Sequence, residues 1–192
     1  MKDIISLLLI ISLVMSCGPK AVDEKVLLDY IRNEENGLSH FEEFNSYKVR
    51  LTYKTSDQIV KQQIEKGSPR EVDSLRSLYN CYVYFILVIE KNSKDLETDF
   101  AYDPSTFADK ISYLTTSFSQ NITLSTSFKT YSVSDYLYAR SFGSGPSNFL
   151  IVFEKPELQD FDVVVEGHDL GFGKIRFPFS QRDLNKAPLL KL

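Results

Sequence analysis

The chain contains few side chains that could act as nucleophiles, general bases or metal ligands, and its two histidines limit the chemistry most. Ser144, His168 and Asp169 are the three residue types of a serine hydrolase triad. Ser144, however, lies in Phe142-Gly-Ser-Gly-Pro146, which is not the G-x-S-x-G motif and which we expect in a hairpin instead of a strand-to-helix turn. We therefore predict no catalytic residues and a protein that is not an enzyme.

The same residues do not make a recognisable metal or cofactor site. A zinc site needs three or four nitrogen, sulfur or oxygen ligands at suitable spacing, and His168 with Asp169 and distant acids offers too few. Gly167, Gly171 and Gly173 resemble a phosphate-binding loop, but they join two predicted strands, whereas such a loop opens a helix. We predict no metal and no cofactor, and we expect these glycines to form a turn with positive φ.

Cys17 carries the most specific chemical signal in the sequence. Lys2 supplies a positive charge, Ile4 to Met15 form an apolar segment, and Val14-Met15-Ser16 leads into the cysteine. This arrangement resembles the lipobox signal peptide of bacterial lipoproteins. The resemblance implies that residues 1–16 are a signal peptide, that the Cys17 sulfur receives a diacylglyceryl group, and that the new amine is acylated after cleavage. The lipidated cysteine then anchors the protein to a membrane.

Two other interpretations of this segment are a transmembrane anchor and an ordinary cleaved signal peptide. A spanning helix needs about 20 apolar residues, and this apolar run is shorter and meets Gly18-Pro19, which cannot extend a helix. An ordinary signal peptide has the same layout, but it gives no reason for a cysteine directly after the cleavage site. The residue after the cysteine, Gly18, is not aspartate. By analogy with the rules that sort enteric lipoproteins between membranes, this favours the outer membrane, with the domain facing the periplasm. The inner membrane and the cell surface remain alternative locations.

Length, charge and cysteine content limit the domain organisation and the binding partners of the remaining chain. We expect residues 17–22 to be a short lipidated tether and residues 23–192 to be a single globular β-rich domain. The formal net charge of −4 argues against nucleic-acid binding, which needs a basic surface. If Cys17 is lipidated, Cys81 is the remaining thiol, and we expect it to be a small buried hydrophobe at the start of an apolar run.

Hydrophobic periodicity predicts the elements of this domain. Tyr47–Lys54 alternates strictly and predicts a half-buried strand. Cys81–Ile89 is apolar throughout and predicts a central strand covered on both faces. We also expect a helix over 23–35, two short helices within 56–79, a helix after Asp103-Pro104 and a C-terminal antiparallel meander whose last strand, containing Pro178, lies at an edge. The predicted fold is α+β, mainly β: a β-sandwich-like antiparallel domain with inserted short helices, or alternatively a two-layer α+β sheet.

Aromatic residues are the main enrichment, with 14 Phe, 11 Tyr and no Trp. Tyr82 and Tyr84 share one face of the predicted central strand, and Tyr136 and Tyr138 precede the predicted hairpin. A surface of these tyrosines could bind a ligand or a partner protein, because tyrosine combines an apolar ring with a polar tip. The alternative is that they pack in the core.

The chain resembles uncharacterised small Gram-negative lipoproteins in three segments, which are Tyr47–Lys54, Tyr82–Ile89 and Asp169–Phe177. The resemblance brings no known activity, and only the lipidation of Cys17 carries over. It implies a membrane-anchored cell-envelope lipoprotein whose domain is a non-enzymatic binding or scaffolding module for another envelope protein. The alternative is a lipoprotein that binds a glycan or a small apolar molecule.

Overall fold

The computed structural model describes residues 21–64, 69–141, 143, 145–157 and 159–192. The predicted signal peptide, Cys17 and Ser144 lie outside these residues. Within them, two antiparallel sheets enclose one aromatic core, and short helices are inserted between the strands. The predicted fold class, α+β and mainly β with a sandwich-like arrangement, is confirmed.

The larger sheet has five antiparallel strands in the order β2-β3-β4-β8-β7. The predicted strand Tyr47–Lys54 is confirmed with the same bounds. The predicted central strand is also confirmed in position, since it occupies the middle of the sheet. The strands are β2 (Ser39–Phe44), β3 (Tyr47–Lys54), β4 (Tyr82–Lys91), β7 (Asp135–Ala139) and β8 (Ser147–Glu154).

The smaller sheet has four antiparallel strands in the order β10-β9-β5-β6. Proline cannot donate a backbone hydrogen bond, so a strand that contains it favours an edge position. Pro178 lies in β10, which is an edge strand as predicted. The strands are β5 (Ile122–Ser125), β6 (Thr130–Ser132), β9 (Phe161–Glu166) and β10 (Lys174–Phe179).

Phenylalanine rings fill the space between the two sheets. Phe85 of β4 lies 4.9 Å from Phe179 of β10 and 6.3 Å from Phe161 of β9, measured between ring centroids. Phe118 packs on Phe149 of β8 at 5.4 Å and closes one end of this core. Most of the aromatic enrichment is therefore structural, because large rings supply much apolar area per residue buried.

Six α-helices connect the strands in the described part of the chain. Helix α1 begins after Asp23, and Gly37, with φ of 68°, ends the 3-10 turn that follows it. Thr55 and Gln58 form the capping box that starts α2. None of the helices in the described residues is long and apolar enough to span a membrane. The helices are α1 (Glu24–Arg32), α2 (Ser56–Gln63), α3 (Pro69–Tyr79), α4 (Leu96–Phe100), α5 (Pro104–Ser112) and α6 (Gln181–Lys186).

Two short strands bring the beginning and the end of the described chain together. Strand β1 (Ala21–Val22) pairs in parallel with β11 (Leu189–Leu190). Ala21 and Val22, which the sequence assigns to the tether, are therefore paired with the end of the domain. Leu27 and Ile31 of α1 are buried with Leu190 in a small second core, so the apolar stripe of α1 packs on the domain.

Cys81 differs from its prediction. It lies in the turn between α3 and β4, where its thiol is exposed and donates to the carbonyl oxygen of Ser77 at 3.6 Å. Helix α3 ends at Tyr79 and β4 begins at Tyr82, so Cys81 lies before the buried part of the strand. The expectation of a buried thiol is wrong.

Candidate functional site

One face of the five-stranded sheet, the face turned away from the four-stranded sheet, is open over much of its width; we call it the outer face. Residues directly opposite one another in antiparallel strands point to the same side. Thr52, Ile86, Leu150 and Leu137 stand opposite one another in a row across β3, β4, β8 and β7. The first three are half-buried, and Leu137 is 60% exposed. The row is an accessible apolar strip on an otherwise acidic protein.

Strand β4 shows why the outer face is open. Its inner side chains, Phe85, Leu87 and Ile89, are fully buried between the sheets. Its outer side chains Ile86 and Val88 remain half-exposed, because helices α2 and α3 cover only the beginning of the strand. The expectation that this strand is covered on both faces is therefore wrong along the second half of its length.

A groove of about 320 Å³, which we call the tyrosine groove, adjoins the apolar strip. It lies between the end of α3 and the outer ends of β4, β8 and β7. Leu78 is 58% exposed and Tyr82 is 37% exposed, so the groove presents apolar surface to solvent. Its lining residues are Leu78, Tyr79, Tyr82, Tyr84, Ser134, Asp135 and Val152.

Tyr84 forms the floor of the tyrosine groove and is held in place from two sides. Its hydroxyl donates to the carbonyl oxygen of Tyr79 at 3.2 Å, and the two rings meet edge to face with centroids 6.3 Å apart. Burial raises the pKa of Tyr84 to about 12, so the phenol stays neutral. Tyr82, which lies two residues earlier on the same face, is free to contact a bound molecule.

Tyr136 and Tyr138 do not belong to this groove. They lie on the inner face of β7, where their rings stack on Phe149 at 6.0 and 4.8 Å. The Tyr136 hydroxyl donates to the Leu114 carbonyl oxygen at 2.6 Å, and the Tyr138 hydroxyl to the buried Glu97 carboxylate at 3.1 Å. Of the four tyrosines proposed from the sequence, the structure brings Tyr82 and Tyr84 together and places the other two in the core.

His40 lies at a second, polar cavity of about 550 Å³. It belongs to the edge strand β2. Its ring meets Phe179 edge to face at 4.7 Å, and its Nε2 atom is buried without a hydrogen-bond partner in the described chain. Burial lowers the pKa of His40, against the opposing effects of the Gly37 carbonyl oxygen and of Glu34 and Glu42. Histidine is neutral in such a setting at pH 7.

The other chemically interesting residues are placed apart from both cavities. His168 begins the 3-10 turn between β9 and β10 and is exposed. In that turn Gly171 has φ of 94°, as expected, whereas Gly167 has φ of −104° and is required for a different reason, its close contact with the Phe172 ring. Across the described ranges, no group of three or more histidine, cysteine, aspartate or glutamate side chains could hold a metal ion.

Sequence reasoning missed the apolar strip and most of the tyrosine groove. Leu137 carries a signal that could have identified it, because it lies between Tyr136 and Tyr138 in a strand and must face the opposite side. Leu78 and Asp135 carry no such signal, since they join the groove only through the packing of the end of α3 against β4 and the pairing of β7 with β8. Comparisons with protein-family models, with curated proteins and with solved structures find no match to this chain.

Proposed function

We propose that this protein is a lipid-anchored lipoprotein of the cell envelope, and that its domain is a non-enzymatic binding or scaffolding module for another envelope protein. The observation that carries the proposal is the open outer face, where the apolar strip continues into the tyrosine groove. Cys17 is the proposed site of lipidation. The outer membrane, facing the periplasm, is the proposed location.

The apolar strip and the tyrosine groove support a protein partner. The centres of protein interfaces are depleted in charged residues and enriched in aromatic ones, and hot spots cluster in pockets there. Leu78 and Tyr82 are exposed side chains that line such a pocket, and Leu137 is an exposed apolar residue of the neighbouring strip. Large contiguous apolar patches on soluble domains mark interaction sites, whereas single exposed residues do not.

The short connection between the proposed anchor and the domain supports a scaffolding role. Ala21 is already paired with the domain's last strand, and a fully extended chain spans at most about 3.6 Å per residue, so the four residues from Cys17 to Ala21 can span at most about 14 Å. A domain held so close to a bilayer meets its partners at or near the membrane surface. We therefore expect the partner to be a membrane or membrane-bound protein of the same envelope.

Site-specific photocrosslinking in cells tests this proposal. A photoreactive phenylalanine derivative replaces Leu137 or Tyr82 in the full chain, and the matched control replaces Asp109, an exposed residue of α5 that does not line the outer face. We expect the first two positions to form an adduct with the same single protein and Asp109 to form none. Adducts that are absent from both face positions, or equal at Asp109, contradict the proposal.

The anchor is tested separately by metabolic labelling with an alkyne fatty acid. We expect the wild-type chain to incorporate label and Cys17→Ala to incorporate none. We also expect Cys17→Ala to reduce the adduct at Leu137, because lipidation places the domain beside its partner. Equal labelling of both chains rejects the lipoprotein assignment while leaving the binding face to be judged by the crosslinks.

The tyrosine groove supports a second candidate, binding of a glycan or a small apolar molecule. Its volume of about 320 Å³ falls at the lower end of the range of small-molecule pockets, about 300–1,000 Å³. Tyr82 and Tyr84 would provide the apolar contact. Under this candidate, Tyr82→Ala abolishes saturable binding of a fluorescent apolar probe, and the photocrosslinks at Leu137 yield no protein adduct.

A further inference from the structure

A second groove opens on the outer face, between α1 and β3, on the opposite side of the apolar strip from the tyrosine groove; we call it the basic groove. It encloses about 520 Å³. Helix α1 contributes one wall, and the outward side chains of β3 contribute the other. Its lining includes the apolar residues Leu28, Ile31 and Ile86 and the cationic residues Arg32, Arg50 and Lys54.

Three cationic side chains line the basic groove, and none of its described lining residues is acidic. The side chain of Arg32 is exposed and makes no hydrogen bond or ion pair with another residue in the described part of the chain. Lys54 donates to the amide oxygen of Gln62 at 3.1 Å, a neutral partner. Arg50 pairs with Glu34 at 3.1 Å, but both side chains are largely exposed, so the pair is weak and a ligand carboxylate can take the place of Glu34.

The charge of Lys54 is only partly compensated. Burial lowers the pKa of this ammonium group, and Glu24 opposes the effect only in part. A cation that is partly removed from water is stabilised further when an anion binds beside it. The groove thus concentrates positive charge on a protein whose net charge is −4.

The floor of the basic groove is apolar. Leu28 and Ile31 of α1 face Ile86 of β4 across it. The buried Ser39 hydroxyl bonds to the Thr52 hydroxyl at 3.0 Å beside the cations, and Thr52 is partly exposed to the groove. A ligand that matches this arrangement has one anionic end and an apolar body. Since arginine binds carboxylates with two parallel hydrogen bonds, a carboxylate suits Arg32 and Arg50.

We infer that the basic groove binds a free long-chain fatty acid, with its carboxylate at Arg32, Arg50 and Lys54 and its acyl chain along Leu28, Ile31 and Ile86. The inference rests on the charge complementarity and the apolar floor of the groove, and it does not depend on the function proposed above. The volume fits a single acyl chain with its headgroup, within the usual range of small-molecule pockets.

Photolabelling with a diazirine-bearing palmitate tests the inference. The full chain is placed in phosphatidylcholine nanodiscs, and labelled peptides are identified by mass spectrometry. We expect the label on the peptides that contain Leu28, Ile31 or Ile86. Excess laurate should compete, whereas dodecanol, which has the same chain without the charge, should not. Addition of laurate should also raise the pKa of Lys54, followed by NMR of its ε-carbon.

Two double variants separate the groove from general charge effects. Arg32→Gln/Lys54→Gln should reduce groove labelling at least about tenfold, because each lost charge-assisted hydrogen bond weakens binding by that order. Arg182→Gln/Lys155→Gln removes the same charge outside the groove and should leave labelling unchanged. Circular dichroism establishes that all variants are folded.

Three results overturn the inference. The first is competition by dodecanol as strong as that by laurate, which would make the contact merely apolar. The second is wild-type labelling of both double variants. The third is labelling of the groove by photoreactive phosphatidylglycerol in the nanodisc but not by palmitate, which would assign the cations to the bilayer surface and not to a free fatty acid.

Discussion

The carboxylate of Asp57 lies 2.8 Å from Nε of Arg76, and this ion pair joins α2 to α3. Asp57 is only 5% exposed. Its second oxygen accepts a hydrogen bond from the backbone of Leu190 at 3.0 Å, and Arg76 donates to the Leu190 carbonyl oxygen at 3.4 Å. One buried carboxylate thus connects two helices to β11.

Replacing Asp57 should destabilise the domain. Asp57→Ala leaves the Arg76 guanidinium and the Leu190 N–H without their partner, and we expect the free energy of unfolding to fall by about 2–4 kcal/mol. Urea denaturation followed by circular dichroism measures it. As a control, Glu34→Gln breaks the exposed pair with Arg50 and should cost less than about 1 kcal/mol. Equal losses in the two variants contradict this account.

His40 should make stability depend on pH. Its folded-state pKa is lowered by burial, so below its ordinary value of 6.5 the unfolded chain binds the proton more readily. The stabilising contribution is fully present above about pH 6.5 and is lost as the pH falls through the lower, folded-state pKa. His40→Phe should flatten the urea-denaturation profile in this range, whereas His168→Gln, at an exposed site, should leave it unchanged.

Gly167 should not tolerate a side chain. A Cβ atom there would lie 1.9 Å from the ring of Phe172, which is itself buried. We expect Gly167→Ala to lower the free energy of unfolding by about 1–3 kcal/mol through displacement of that ring. Gly173→Ala is the control within the same turn, since nothing lies within 4 Å of a Cβ there. Thermal unfolding of the two variants should differ clearly, and similar melting temperatures would refute the steric argument.

Tyr138 and Tyr82 should respond differently to the loss of the hydroxyl group. Tyr138→Phe removes a donor from the buried Glu97 carboxylate and should cost about 1–2 kcal/mol of unfolding free energy. Tyr82→Phe removes an exposed hydroxyl and should change stability by less than about 0.5 kcal/mol. Chemical denaturation measures both. A large loss in Tyr82→Phe would place that residue in the core and remove it from the tyrosine groove.

Leu137 should matter for binding and not for folding. Leu137→Asp places a charge on a side chain that is 60% exposed, so we expect the free energy of unfolding to change by about 0.5 kcal/mol or less. The same change should abolish the photocrosslink formed at Tyr82, because it puts a desolvated charge into the centre of the interface. A crosslink that persists at full strength excludes the apolar strip as the contact surface.

The alternating strands were predictable because their pattern is local. Tyr47–Lys54 alternates over its full length, and Pro178 marks an edge by its missing N–H. Strand β2 (Ser39–Phe44) was missed because its polar residues His40, Glu42 and Glu43 hide the alternating pattern. It forms a strand because it pairs along its whole length with β3 at the edge of the sheet. The parallel pairing of β1 with β11 joins the two ends of the domain and has no local signal in either dipeptide.

The candidate site was only half predictable for the same reason. Alternation places Tyr82 and Tyr84 on one face of β4, but it does not say which face is open. That depends on how far α2 and α3 extend over the sheet. Tyr136 and Tyr138 satisfy the same local pattern and lie in the core, because β7 turns its tyrosines inward and Leu137 outward.

The parallel pairing of Ala21–Val22 with Leu189–Leu190 has a mechanical consequence. Tension applied through the residues that precede Ala21 acts along β1 and loads its hydrogen bonds to β11 in shear. Part of the load then passes through Leu190 to the Asp57 carboxylate and from there to Arg76 of α3. Pulling on the chain from that end would therefore strain its last strand directly, although almost the whole domain separates the two strands in sequence.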